Sequence, residues 1–166
     1  MNSHTAGIVW RRAFILGALA LAALMLHPGL LPAQTNACAL LKAGDVAALL
    51  GGTPTSKASP QGQACTWAGA NAGRKLLVLT YKNTAVPGEA AFMGAHKGAQ
   101  AGENAKVSDE AGIGDQAFSA QVSFGAVFVV LKQGRLLQLQ YWTGGQGTSQ
   151  DVAALRPVVQ KAVAAF

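Results

Sequence analysis

Gly125-Ala126-Val127-Phe128-Val129-Val130-Leu131, then Lys132-Gln133-Gly134, then Arg135-Leu136-Leu137-Gln138-Leu139-Gln140-Tyr141-Trp142: residues 125–142 decide the fold. Two β-branched and aromatic runs separated by a short Gly-containing connection predict an antiparallel hairpin. In the second run Leu137, Leu139 and Tyr141 alternate with Gln138 and Gln140, so that strand has a core face and a wetter face. Trp142 falls on the wetter side. Upstream, residues 116–122 read as a further strand. Arg74 to Tyr81 (RKLLVLTY) reads as another, with Leu76 and Val78 on one face and Leu77, Leu79 and Tyr81 on the other. A strand apolar on both faces is usually covered on both, or central.

Working further out, Cys65-Thr66-Trp67-Ala68 is a short strand, and 53–63, with Pro54 and Pro60, is a loop or irregular edge strand. Three helices are expected. The first starts near Ala43 and stops at Gly51. The second spans about 87–100, with Phe92, Ala95 and Ala99 as a weak apolar stripe. The third is capped by Thr148 or Ser149. Its residues Val152, Leu155, Val159, Ala162, Val163 and Phe166 keep helical spacing and should cover the Leu137, Leu139 and Tyr141 face. Pro157 should kink or break that helix. The stretch 102–114 reads as a polar, Gly-rich loop. The expected fold is α+β: one domain, a mainly antiparallel β-sheet with flanking helices, and one disulfide.

The N-terminus carries an address. Arg11 and Arg12 precede Ala13 to Leu26, fourteen residues that are all apolar or Gly, and Leu31-Pro32-Ala33 ends small. That is the layout of a secretory signal peptide, and the run falls short of the about 20 residues that spanning needs. Residues 1–33 are therefore expected to be a signal peptide cleaved after Ala33, with 34–166 as the domain, periplasmic or secreted. General secretion is preferred to twin-arginine export, because Trp10 stands where a small hydroxyl residue is usual. Thr35, Asn36 and Ala37 make a poor lipobox before Cys38, so no lasting membrane anchor is expected.

Composition narrows the function classes. The whole chain of 166 residues is 51% hydrophobic and 12% charged. Beyond residue 33, eleven Lys and Arg stand against seven Asp and Glu, too few and too scattered for a nucleic-acid surface. Cys38 and Cys65 are the two cysteines, an even count that in an exported chain reads as a disulfide.

The chemistry-bearing residues are sparse. His96 is the one histidine beyond residue 33, and no serine sits in a Gly-x-Ser-x-Gly elbow, so it is expected at the surface. Gly112-Ile113-Gly114-Asp115 lacks the strand before and helix after that a phosphate cradle needs, and reads as a turn tied by Asp115. Asp109 and Glu110 read as a solvated loop. Trp67, Tyr81, Tyr141 and Trp142 could line a groove, but strand aromatics are usually core. Trp142 is the candidate partner contact. No metal or cofactor is expected. The leading expectation is a non-catalytic binding or scaffold domain engaging an envelope protein. The alternatives are an envelope hydrolase built around His96, and a small-molecule carrier with a void lined by Tyr81, Phe128 and Tyr141.

Cys38-Ala39-Leu40-Leu41, Asp45-Val46-Ala47-Ala48-Leu49-Leu50-Gly51, Cys65-Thr66-Trp67 and Gly112-Ile113-Gly114-Asp115-Gln116-Ala117 together resemble a secreted bacterial family of unknown function. That family is typified by mycobacterial-type lipoproteins, and some members are similar in fold to the PsbP-like group. The resemblance spans most of 38–166 and implies an antiparallel sheet with helices packed on it and a Cys38–Cys65 bridge. The chain departs from the family in lacking a lipobox. The family brings no catalytic residues, and PsbP-like relatives mostly bind other proteins; fold alone does not imply function.

Overall fold

The hairpin at the centre forms as the pattern requires. In a computed structural model of the chain, β6 (Gly125–Lys132) pairs antiparallel with β7 (Arg135–Trp142), placing Phe128 opposite Leu139 and Val130 opposite Leu137. Gln133 and Gly134 both take positive φ, 50° and 71°, the two-residue turn whose twist matches that of the strands. The structure describes residues 36–70, 73–81 and 86–166, with the backbone alone of Leu77 and Tyr81. The expected leader, 1–33, lies outside the described residues.

Around that hairpin the sheet grows to seven strands in the order β1-β2-β3-β7-β6-β5-β4, antiparallel at every seam. One meander comprises β1 (Thr55–Ala58), β2 (Ala64–Ala68) and β3 (Lys75–Tyr81). The other comprises β4 (Lys106–Asp109), β5 (Gln116–Val122), β6 and β7. They join where β3 pairs with β7, Val78 opposite Leu139. The fold is α+β, as expected, with the Cys38–Cys65 disulfide formed across a Cα separation of 4.9 Å.

Helices divide unequally between the two faces. A 3-10 turn (Ala37–Leu40), α1 (Ala43–Leu50) and α3 (Ser149–Ala165) share one face. There Leu155, Val159 and Ala162 meet Leu76, Val78, Phe128, Leu137, Leu139 and Tyr141 in one buried cluster. At roughly 1.5 to 3 kcal/mol for each large side chain buried, this layer holds most of the apolar stabilisation. The Tyr141 hydroxyl donates to the Leu49 carbonyl at 3.2 Å, and burial pushes its pKa above the usual 10. α2 (Gly88–Gln100) lies on the other face, where Phe92 packs with Phe118, Val127, Val129, Leu131 and Leu136. It covers the β4–β7 meander and leaves the outer face of β1–β3 without a helix among the described residues.

Two expectations need correction. Pro157 neither breaks nor ends α3, which runs unbroken from Ser149 to Ala165. Both Pro157 and Ala153, whose carbonyl loses its partner, are exposed, so water can replace the missing bond while Leu155, Val158 and Val159 stay anchored. Residues 106–109 are not loop but the edge strand β4. Asp109 closes that strand, and Glu110 is buried rather than solvated, only 8% exposed. Phe128 and Tyr141 are both packed in the core opposite α2.

Ends of helices are tied down electrostatically. Thr148 and Asp151 cap α3 reciprocally, the Thr148 hydroxyl accepting from the Asp151 N–H and the Asp151 carboxylate from the Thr148 N–H. Lys132 and Arg135, flanking the β6–β7 turn, donate to the Val163 and Phe166 carbonyls at the other end of α3, where cations favour the dipole. Asp45 accepts from the Lys161 ammonium and the Lys42 N–H, both at 2.8 Å; the hydrogen bond to Lys161, then that to Lys42, holds its carboxyl below the ordinary value of 3.8. A depressed pKa stabilises the fold above the unfolded value, and the contribution is lost as pH falls through the folded value. Asp45→Asn is therefore expected to cost less than about 1 kcal/mol at neutral pH, as for other exposed pairs. The difference from the parent should start to shrink as pH falls below about 3.9 and vanish below the depressed folded value, as measured by urea unfolding at stepped pH.

Candidate functional site

Strand register places a row of residues across the face that α2 only half covers: Ala68, Lys75, Trp142 and Gly125 are successive cross-strand neighbours. Trp142, the last residue of β7, is 42% exposed. Its ring stacks on Phe124 from the β5–β6 turn, with centroids 4.8 Å apart and planes tilted by 31°. The next row carries Lys57, Thr66, Leu77 and Gln140, and the one beyond carries Ala64, Leu79 and Gln138. Lys57, Thr66 and Lys75 are exposed. β1, β2, β3 and β7 contain no Asp or Glu at all, so this half-face is positive.

Within the covered half, two hollows lie between α2 and the sheet. One of about 250 Å³ is lined by Gly88, Ala91, Ala95, Val129, Leu136 and Gln138. The other, about 230 Å³, is lined by Ala95, Ala99, Ala120, Val127, Val129 and Gln138. They share Ala95, Val129 and Gln138 and so form one groove. Ala91, Ala95 and Ala99, four residues apart, turn one small-residue face of α2 toward it; larger side chains at these positions would fill the space.

The far side of α2 has a different character. A hollow of about 500 Å³ is lined by Phe92, Met93, His96, Asp109, Glu110 and Gln116, among others. The His96 Nε2 lies 3.2 Å from the Asp109 Oδ1, and the imidazole sits edge-on to Phe118 at 4.9 Å. His96 is thus not a free surface histidine: its side chain is 20% exposed, against 88% for Asp109. Glu110 accepts from the Ser119 hydroxyl at 2.7 Å and from the Arg156 guanidinium. The hollow offers a base and two carboxylates, but its described lining has no serine, threonine or cysteine to serve as a nucleophile. Ser119 is committed to Glu110.

Other residues singled out earlier serve the frame. Gly112 and Gly114 take positive φ around buried Ile113. Asp115 ties not its own turn but the β6–β7 hairpin, accepting from the Gln133 N–H at 2.6 Å. Trp67 is buried on the helix-rich face, its indole N–H without a partner among the described residues. No three His, Cys, Asp or Glu among the described residues cluster as metal ligands. No described helix is long and apolar enough to cross a membrane. The groove was missed in the sequence because its walls come from α2 and from three strands that carry no motif. No protein family, curated protein or solved structure matches the chain.

Proposed function

We propose that the chain is a small exported domain without catalysis of its own, which binds an envelope component through the open half of its sheet. The observation that carries this reading is Trp142: a large aromatic, 42% exposed, stacked on Phe124 and flanked by Lys75. Exposed aromatics are common anchors of binding surfaces. The disulfide fits an oxidising compartment. The resemblance to secreted lipoprotein-type domains points the same way.

Trp142→Ala is expected to cost less than about 1.5 kcal/mol, the range of an aromatic stacking contact, while weakening binding. A loss of about 3 to 5 kcal/mol in thermal unfolding would make Trp142 a core residue and remove the reading's anchor. The direct test is a photo-crosslinking residue at position 142 of the exported protein in living cells, with position 161 as control. Adducts at 142 and not at 161 are expected. Absence of adducts at 142, or equal yields at both, overturns the proposal.

A further inference from the structure

Resting on that reading, we propose that the occupant of the open half-face is an acidic glycan, a chain of sugar rings bearing carboxylates. It lies across the strands with one ring on Trp142 and its acid groups at Lys75 and Lys57. Charge selects it. Residues 46–88 and 116–150 contain no Asp or Glu, and they include every strand except β4. Lys57 and Lys75 are exposed, and neither takes part in an ion pair among the described residues. A face of one sign with no internal counter-charge attracts a partner of the other sign.

Strand pairing sets the order of the groups. One row reads Thr55, Ala68, Lys75, Trp142 and Gly125, and the next begins Lys57, Thr66, Leu77, Gln140. With strands about 4.8 Å apart, the first row is about 19 Å long, the reach of several sugar rings. Lys57 lies two strands over from Lys75 and two residues along, which sets their Cα atoms about 12 Å apart. Trp142 offers the ring surface that Phe124 leaves open, and the C–H edges of a sugar carry the partial positive charge that suits the negative face of an indole. Between the two lysines stand Ala68, Thr55 and Thr66, small enough for a ring to lie close, with hydroxyls to meet its own. An acidic peptide suits the face less well: extended peptides gain their main-chain bonds at a sheet edge, and β3 and β7 are paired on both sides. A bilayer calls for a broader apolar surface, and Trp142 is the one exposed large apolar side chain on this half-face among the described residues.

The test is a calorimetric titration of the purified exported protein with oligogalacturonate at low ionic strength. Neutral oligogalactan of the same length and oligoglutamate of the same charge are the controls. Saturable binding of oligogalacturonate is expected, about tenfold tighter than either control. Lys57→Gln and Lys75→Gln together should weaken it about tenfold, and Trp142→Ala by a similar factor. Lys106→Gln, on the edge strand at the far side of the sheet, should leave it unchanged. All four side chains are exposed, and melting curves confirm that each variant is folded. No binding of oligogalacturonate overturns the proposal. So does equal binding of the galactan, which would mean that charge does not select, or of oligoglutamate, which would mean that any polyanion serves. A loss in Lys106→Gln equal to that in the double variant would reduce the effect to net charge and overturns it too. Sedimentation with phosphatidylglycerol vesicles, in place of glycan binding, would assign the face to a membrane instead. Crosslinking at position 142 separates the two proposals: if it persists while oligogalacturonate fails, the face binds something other than an acidic glycan. If both fail, the face is not a binding surface.

Discussion

Replacing Cys38 and Cys65 together by serine is expected to lower the unfolding free energy by about 3 to 4 kcal/mol, the loop-closure value for a bridge of this span. The two cysteines lie twenty-seven positions apart, and the loop they close contains α1 and β1. Neither is self-sufficient. α1 has eight residues, well under the about 12 to 15 at which an isolated helix becomes marginal. β1 is exposed at all four positions. The bridge attaches the 3-10 turn to β2, beside the Ala37 N–H to Gly62 carbonyl bond of 2.8 Å, and Cys65 is itself buried in the core. Against a total stability of about 5 to 15 kcal/mol, the loss is a large fraction. Urea unfolding of the double variant should show a markedly lower midpoint, matched by the reduced parent protein. A midpoint unmoved by either treatment would mean that the loop is held by its packing alone.

Gly147→Ala is expected to cost about 3 kcal/mol, the upper end of the range for overpacking. A Cβ at this position would lie 1.7 Å from the Gly125 carbonyl oxygen and 2.4 Å from its carbon. Both contacts are with backbone, so no rotamer change relieves them. Gly125 is equally confined: a Cβ there would meet the Tyr141 carbonyl oxygen at 2.0 Å. Three segments thus cross backbone to backbone, the start of β6, the end of β7 and the approach to α3, with the Gly147 N–H donating to the Val122 carbonyl at 2.8 Å. Two residues away, Gly145 has nothing within 4 Å of its would-be Cβ. Gly145→Ala should therefore stay within about 0.5 kcal/mol, as surface exchanges do. Comparable thermal shifts for the two variants would show that the crossing relaxes freely.

Much of this architecture was legible in residue order where burial follows a period. The alternation Leu137, Leu139, Tyr141 against Gln138 and Gln140 reports a strand wet on one side, and the structure covers the Leu side with α3. Residues 116–122 and 135–142 match β5 and β7 residue for residue. What stayed hidden depends on partners far along the chain. β4 carries a single apolar residue, Val107, and is a strand through its backbone pairing with β5, which leaves no hydropathy signal. Glu110 is buried because Ser119 and Arg156 satisfy it, nine and forty-six residues away. His96 meets Asp109 because α2 crosses β4, a placement no local spacing encodes. The candidate site was half legible. Alternation put Trp142 on the wetter face, but which part of that face a helix would cover depends on β3 pairing with β7.

That seam also dictates the order in which the chain can finish its sheet. β3 ends at Tyr81, and its second partner begins at Arg135, so the central pairing waits for more than fifty further residues. A ribosome or an export channel delivers the chain from its N-terminus, and through that interval the leading meander presents an unpaired, uncharged, β-prone edge from Leu76 to Thr80. Such an edge is what a neighbouring unfinished chain would extend. Lys75 and Lys82 bracket it in the sequence, placed as gatekeepers against self-association. On this account Lys75 protects the nascent protein. Its replacement should lower yield during synthesis even where the folded domain's melting temperature is unchanged.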